Sequence, residues 1–176
     1  MSENTAGPDT RSRFRWWGPV SGLGLTVAFL TCVIDQAHKW WMLDVFQIKE
    51  RGRVTVTPFL DLVYAKNTGI SYGTDLGLGQ GPLVAIAVLA FCGLGLWLAY
   101  NGTRLVAWSL GLIMGGAIGN AIDRITQGGV SDFFSFHAYG YYWYVFNIAD
   151  VAIVAGVVGL LYDAVFAHEE RAHKRT

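Results

Sequence analysis

Charge is scarce in this chain. Only 15% of its 176 residues are charged, 53% are hydrophobic, and the formal net charge is zero. Soluble domains usually carry about a quarter of charged residues, so this composition favours a bilayer as the solvent. A net charge of zero also provides no overall field that would attract nucleic acid. We therefore predict an integral membrane protein that has no nucleic-acid partner.

Cysteine and histidine are also sparse. The two cysteines, Cys32 and Cys92, lie in apolar stretches, where a thiol packs as a small hydrophobe. The four histidines lack metal-ligand spacing, and no serine has a G-x-S-x-G context. We predict no disulfide, no metal and no other cofactor, and no serine-hydrolase chemistry.

Long apolar runs are what the sequence does contain. Four of them predict helices at about residues 16–41, 82–100, 105–124 and 143–163, each close to the 20 residues that cross a hydrocarbon core. Asn101 and Gly102 make a tight turn between the second and third helices. Trp16 and Trp17 precede the first helix as an interfacial aromatic belt.

The distribution of arginine and lysine predicts the orientation. Tails at residues 1–15 and 167–176 and the short turn containing Arg104 are basic, which favours the cytoplasm for both termini. The first tail is predicted to be disordered. The loop at about 42–81 also carries basic residues, although a loop of this length can be translocated with its charges. The prediction is therefore a protein that crosses the membrane several times, with both termini on the cytoplasmic side.

Residues 53–64 alternate apolar and polar side chains around Pro58, which predicts one or two short strands. The predicted fold class is an all-α integral membrane protein. Its four transmembrane helices form one domain over residues 16–166, with a small extramembrane β-rich loop between helices 1 and 2.

Ionisable residues collect at one side of this bundle. A charged group at membrane depth costs about 2.5–3.5 kcal/mol, so each one needs a partner or a function. Asp35 and Lys39 are four residues apart, as helical ion pairs are, and Asn120 shares a helix face with Asp123 and Arg124. These spacings favour structural ion pairs and amide hydrogen bonds.

Asp132 and Asp150 cannot both be neutralised by the nearby cation, because Arg124 is a single positive charge and Asp123 is also close to it in sequence. Two carboxylates in a low-dielectric site share one proton, the condition for a general acid and a general base that activate water. From spacing alone, a structural interpretation is equally open, with Asp132 capping a helix and Asp150 packing within one, beside Asn147. Two further alternatives are a proton- or cation-coupled carrier and a non-catalytic adaptor.

Several sequence blocks, in order, resemble the prolipoprotein signal peptidase family, also called signal peptidase II. They are D-Q-x-x-K from Asp35 to Lys39, N-T-G from Asn67 to Gly69, G-G-A-I-G-N-A-I-D-R from Gly115 to Arg124, V-S-D-F around Asp132 and F-N-I-A-D ending at Asp150. The resemblance covers nearly the whole chain. It implies that Asp132 and Asp150 are the catalytic pair and that Asp123 is structural.

The resemblance also implies the reaction and the supporting residues. The expected substrate is a prolipoprotein, cut before a cysteine that carries a diacylglyceryl group, by a monomeric enzyme whose active site lies near the outer face among membrane lipids. Asn67 and Gly69 are expected to line the substrate site, with Asn120, Arg124 and Asn147 around the acids. Two departures, Ile70-Ser71-Tyr72 for Ala-Ala-Phe and Val151 for serine, affect the expected shape of the pocket.

Overall fold

The chain forms five α-helices and four strands in a computed structural model that describes residues 15–69, 79–100 and 102–173, with side chains to residue 166. The elements follow in chain order: α1 (Ser21–Trp40) with a π-helical turn (Trp41–Val45), α2 (Ile48–Arg51), β1 (Val54–Thr57), β2 (Leu60–Asn67), α3 (Gly81–Tyr100), α4 (Arg104–Gln127), β3 (Val130–Ala138), β4 (Tyr141–Phe146) and α5 (Ile148–His173). Predicted tail residues 1–14 and the Ile70-Ser71-Tyr72 departure lie outside the described residues.

Within the described ranges, three helices are long and apolar enough to cross a membrane. They are Gly81–Tyr100, Arg104–Gln127 and Ile148–Phe166, with mean hydropathies of 2.3, 1.6 and 2.0. The first predicted span is not among these three. Its helix begins at Ser21 rather than at residue 16 and contains Asp35 and Lys39, so its uncharged helical stretch covers only residues 21–34.

Helix α4 is the centre of the bundle and packs against α1, α3 and α5. Glycines make the close approaches possible. A Cβ atom on Gly111 would lie 2.6 Å from the carbonyl oxygen of Gly24 in α1, and one on Gly116 would lie 2.5 Å from that of Ala149 in α5. Close backbone approach through small residues is typical of helices that associate in membranes.

The strands form one antiparallel sheet in the order β1-β2-β3-β4. Its register pairs Asn67 with Val130 and Ala65 with Asp132, which brings the loop after α1 beside the segment after α4. The sheet is therefore larger than predicted, because residues 130–146 supply half of it. The predicted start of the last helix, at residue 143, was wrong: residues 141–146 are strand β4, and α5 begins at Ile148.

A physical reason for this error lies in the composition of β4. The run Y-Y-W-Y-V-F is as uncharged as a membrane helix, but aromatic and β-branched residues favour a strand. Gly140, with a φ of 84°, makes the turn that folds β4 back onto β3. The next described element, α5, then starts where the polar site is built.

Candidate active site

Lys39 is the centre of a buried ion cluster between α1 and α4. Its ammonium group lies 2.8 Å from a carboxylate oxygen of Asp35 and 3.0 Å from one of Asp123, and all three side chains are almost fully buried. Lys39 also donates a hydrogen bond to Oδ1 of Asn120, at 3.1 Å. Buried charges are stable when paired and hydrogen-bonded in this way. The single lysine of this cluster is therefore paired with Asp35 and Asp123.

Two asparagine amides extend this cluster to the remaining acids. Nδ2 of Asn120 donates to Oδ1 of Asp150 at 2.9 Å. Nδ2 of Asn147 donates to Oδ1 of Asn120 at 3.1 Å and to Oδ1 of Asp132 at 2.6 Å. Asp132 and Asp150 are thus held by one connected network of hydrogen bonds, which fixes their positions.

The N-terminus of α5 fixes Asp150. The backbone N–H of Asp150 donates to Oδ1 of Asn147 at 3.0 Å, and the backbone N–H of Asn147 donates to Oδ2 of Asp150 at 3.2 Å. This reciprocal pair has the form of a helix capping box. The N–H of Ala149 donates to Oδ1 of Asp35 at 3.0 Å, so the ion cluster satisfies another terminal N–H group of α5.

Asp132 lies on β3, where only 2% of its surface is exposed. Burial, followed by the charge of Asp150, raises the pKa of Asp132 from 3.8 to about 6, despite the opposing hydrogen bond from Asn147. The raised pKa makes this carboxyl a proton carrier in the range where enzymes work.

The raised pKa predicts how stability depends on pH. Because the proton is held more tightly in the folded state than in the unfolded chain, ionising Asp132 destabilises the fold, and this cost grows between about pH 4 and pH 6. An Asp132→Asn variant has no such cost. We expect its melting temperature in detergent to rise relative to the wild type as the pH increases from 4 to 7.

Asp61 provides a control, because its pKa is shifted in the opposite direction to that of Asp132. A hydrogen bond from Arg53 lowers the pKa of this β2 carboxyl below 3.8, so its contribution to stability is lost only as the pH falls below about 4. In a His137→Gln background, which removes the imidazole 3.4 Å from Asp61, the melting difference caused by Asp61→Asn should therefore be constant from pH 5 to 7. A difference for Asp132→Asn that is equally constant from pH 4 to 7 would contradict the raised pKa.

A cleft of about 420 Å³ opens beside Asp132 between β2 and β4. Nδ2 of Asn67 donates to the hydroxyl of Tyr144 across the cleft at 3.4 Å, and Oδ1 of Asn67 accepts from the N–H of Gly69 at 2.9 Å. Gly69 has a φ of 83°, and an added Cβ atom would collide with Leu83 of α3. This position therefore requires glycine.

Arg124 lies at the edge of the network. Its Nη1 donates to the carbonyl oxygen of Asn120 at 3.3 Å, and its Nη2 lies 3.6 Å from where a Cβ atom on Gly69 would be. Arg124 therefore lies between the cleft loop and the acids.

The structure brings together most of the residues singled out in the sequence. One network contains Asp35, Lys39, Asn120, Asp123, Asp132, Asn147 and Asp150. Asn67, Gly69 and Arg124 lie around it. The main difference is the partner of Asp123: helical spacing grouped it with Asn120 and Arg124 of its own helix, whereas its ion-pair partner is Lys39 of another helix.

Four further residues were missed as members of the site. Gln36 donates to Oδ1 of Asp123 at 3.0 Å and to the carbonyl oxygen of Gly119 at 3.0 Å. Lys66, Trp143 and Tyr144 line the cleft. The sequence does contain a signal for Gln36, which is a polar residue in an apolar helix next to Asp35. The aromatic segment from Phe133 to Tyr144 is a signal for a cover over the site, but assigning residues 143 and 144 to a helix left their place in the cleft wall unpredicted.

Apolar helices around two carboxylates, a buried one on Asp132 and a half-buried one on Asp150, that are linked through asparagine hydrogen bonds are typical of a membrane enzyme. Residues 27–166 match the family model described as Signal peptidase (SPase) II. The chain belongs to the signal peptidase II family and is therefore a protease. The family resemblance that the sequence motifs indicated is confirmed.

Close relatives extend over most of the chain. The lipoprotein signal peptidase of Nitrobacter hamburgensis is 55% identical over 148 residues, which are 80% of this chain and 90% of that protein. The lipoprotein signal peptidase of Beijerinckia indica is 50% identical over 151 residues, 84% of this chain and 90% of that protein.

Two solved structures share the fold. A bacterial membrane enzyme determined by the in meso method at 2.3 Å resolution has a TM-score of 0.68 and 27% identity, and the match covers 81% of this chain and 90% of that one. A second one, at 1.9 Å, has a TM-score of 0.70 with 23% identity, covering 87% and 97% of the two chains, and supports the fold alone.

Proposed function

We propose that this protein is a membrane aspartic endopeptidase that removes signal peptides from prolipoproteins. It hydrolyses the bond before a diacylglyceryl-modified cysteine, and Asp132 and Asp150 are its catalytic pair. The observation that carries the proposal is that Asn147 hydrogen-bonds to both carboxylates, while the buried lysine is occupied by Asp35 and Asp123.

The proposed mechanism needs one proton on the pair. The ionised aspartate takes a proton from water, and the resulting hydroxide attacks the scissile carbonyl carbon. The protonated aspartate donates a hydrogen bond to the carbonyl oxygen, where negative charge develops. As the tetrahedral intermediate collapses, the C–N bond breaks and the leaving nitrogen takes a proton from the pair, which gives a carboxylic acid and a free amine and leaves one proton on the pair. The two aspartates titrate as a unit, so the proton belongs to the pair.

The surrounding residues have supporting roles in this proposal. Asn120 and Asn147 orient the acids, and Lys39 with Asp35 and Asp123 holds α1, α4 and the start of α5 in place. Asn67, Gly69 and Arg124 position the peptide in the cleft. The reaction as proposed uses no cofactor or metal.

We propose that α1 is a fourth span, because its 20 residues extend about 30 Å, the thickness of a hydrocarbon core. Arg15 and Arg104 lie at the end of the bundle opposite the sheet, which favours cytoplasmic termini in a bacterial inner membrane. Asp132 and Asp150 then lie near the outer face, at the depth of a lipidated cysteine. The proposed working unit is a monomer in contact with membrane lipids.

A coupled carrier fits the geometry less well. A relay across the membrane requires acids distributed through its thickness. The four acids of the network instead form one connected cluster where α1, α4 and α5 meet the sheet. In a non-catalytic adaptor, the hydrogen bonds through which Asn120 and Asn147 connect two carboxylates would have no function.

Cleavage of matched substrates tests the proposed specificity. We expect the purified protein in detergent, with a chelator present, to cut a diacylglyceryl-modified prolipoprotein at the bond before the lipidated cysteine. The same prolipoprotein without the lipid should be cut at least about 100-fold more slowly, since the acyl chains hold the bond at the depth of the site. Mass spectrometry of both products locates the bond. Equal cleavage of the two substrates would contradict the role of the lipid.

A further inference from the structure

Two apolar cavities lie apart from the polar network, one between α1 and α3 and the other where α1 also faces α4. One has a volume of about 310 Å³ and lies between Trp17 and Gly95. The other has a volume of about 290 Å³ and lies between Cys32 and Met114 of α4. Leu25 and Phe91 line both cavities, so the two cavities adjoin each other, and together they are here called the α1–α3 groove.

The dimensions of the α1–α3 groove limit what it can hold. From Ser21 to Cys32 it runs about 16 Å along α1, roughly half of a hydrocarbon core about 30 Å thick. A helix of that length, about 10 Å in diameter, occupies roughly 1,300 Å³, far more than both cavities together. The groove is therefore wide enough for a single hydrocarbon chain but too narrow for a helix.

The lining of the groove suits hydrocarbon. The hydroxyl of Ser21 already accepts a hydrogen bond from the N–H of Gly18 at 2.8 Å. The side chain of Leu98, 1% exposed, forms part of the wall. At Gly95 an added Cβ atom would meet no other atom within 4 Å, so this glycine leaves the groove open.

The end of the groove next to Arg15 has the features of a membrane interface. Trp16 and Trp17 are 77% and 61% exposed there, as interfacial tryptophans are. The backbone N–H of Arg15 donates to the hydroxyl of Tyr100 at 3.2 Å, which places Arg15 next to the last residue of α3. Arg104, the first residue of α4, is also exposed. Two cations at this end favour an anionic head group.

We propose that the α1–α3 groove binds an anionic phospholipid of the surrounding membrane. One acyl chain lies between α1 and α3, and the head group lies beside Arg15 and Arg104. The site is separate from the aspartate pair, and its occupancy does not depend on peptide cleavage.

Native mass spectrometry of the full-length protein tests this site. The delipidated protein is incubated with phosphatidylglycerol or, separately, with phosphatidylcholine at equal concentration. A Gly95→Leu variant fills the groove with its side chain, whereas Gly93→Leu is the matched control on the same helix. Gly93 also has open space around it but lines neither cavity. Both changes replace glycine by a better helix former, so both variants should fold.

The wild type and Gly93→Leu should each retain one phosphatidylglycerol, and Gly95→Leu should retain at least tenfold less. Phosphatidylcholine should be retained at least fivefold less than phosphatidylglycerol by the wild type, and an Arg15→Gln, Arg104→Gln variant should lose this preference. Equal retention by Gly95→Leu and the wild type would overturn the acyl-chain site. Equal retention of the two lipids would overturn the choice of head group. Displacement of phosphatidylglycerol by a diacylglyceryl-cysteine peptide would assign the groove to the substrate instead.

Discussion

Asparagine at either position 132 or position 150 should abolish peptide cleavage. The amide matches the carboxyl group in size but neither accepts a proton from water nor donates one to the leaving nitrogen. A general acid or a general base each increases the rate by about 10²–10⁴-fold. Where the two act as a unit, removing either one loses most of the rate increase that both provide. We expect each variant to cut a diacylglyceryl-modified prolipoprotein at least about 10³-fold more slowly than the wild type, in a single-turnover assay.

Both variants should remain folded. In Asp132→Asn, the side-chain oxygen still accepts the hydrogen bond from Asn147. In Asp150→Asn, one oxygen still accepts from Asn120, but the backbone N–H of Asn147 loses its acceptor, at a cost of about 1 kcal/mol as for other helix caps. The matched control is Asp44→Asn, an exposed acid on the π-helical turn, which should leave both rate and stability unchanged. Near-normal cleavage by Asp132→Asn would contradict its catalytic role.

The largest effect on stability is expected from Lys39→Met. Methionine has a similar length but no charge, so Asp35 and Asp123 are left buried beside each other with no lysine between them. Breaking a buried ion pair by removing one partner costs about 3–5 kcal/mol. Thermal unfolding in detergent should show a large fall in melting temperature, together with loss of cleavage, because the network that holds Asn120 is anchored by Lys39.

Two control variants test whether the effect of Lys39→Met comes from the uncompensated buried acids or from the loss of any lysine side chain. Lys49→Met removes an exposed lysine whose ammonium group lies 4.6 Å from the ring centre of Tyr64, so at most about 1 kcal/mol is expected. A double variant, Asp35→Asn with Lys39→Met, removes one of the uncompensated acids and should be more stable than Lys39→Met alone. A double variant that is less stable than the single one would contradict the assigned charge balance.

Much of the candidate site was predictable because its residues break an apolar background. Asp35, Asp123 and Asp150 each interrupt or end an otherwise uncharged apolar run, and helical spacing correctly placed Lys39 beside Asp35. The family motifs then selected Asp132. Which acid serves catalysis was not decided by spacing, since the spacing fits a capping role for Asp132 as well as a catalytic one.

The contacts between elements were not predictable from local pattern. Lys39 reaches Asp123 only because Gly115 and Gly119 let α1 approach α4, a packing that periodicity along one helix does not contain. The second half of the sheet was missed for a related reason. Residues 141–146 are apolar enough for either a helix or a strand, and pairing of β4 with β3 decides between them. The same pairing is what places Trp143 and Tyr144 in the cleft.

The most direct test of the aspartate pair is a double-variant cycle on one diacylglyceryl-modified prolipoprotein. Wild type, Asp132→Asn, Asp150→Asn and the double variant are compared in single-turnover cleavage with a chelator present. Because the two carboxylates act as a unit around one proton, we predict that the double variant is no slower than either single variant, with all three at least about 10³-fold below the wild type. Near-normal cleavage by either single variant, or losses that simply multiply in the double variant, would contradict the account.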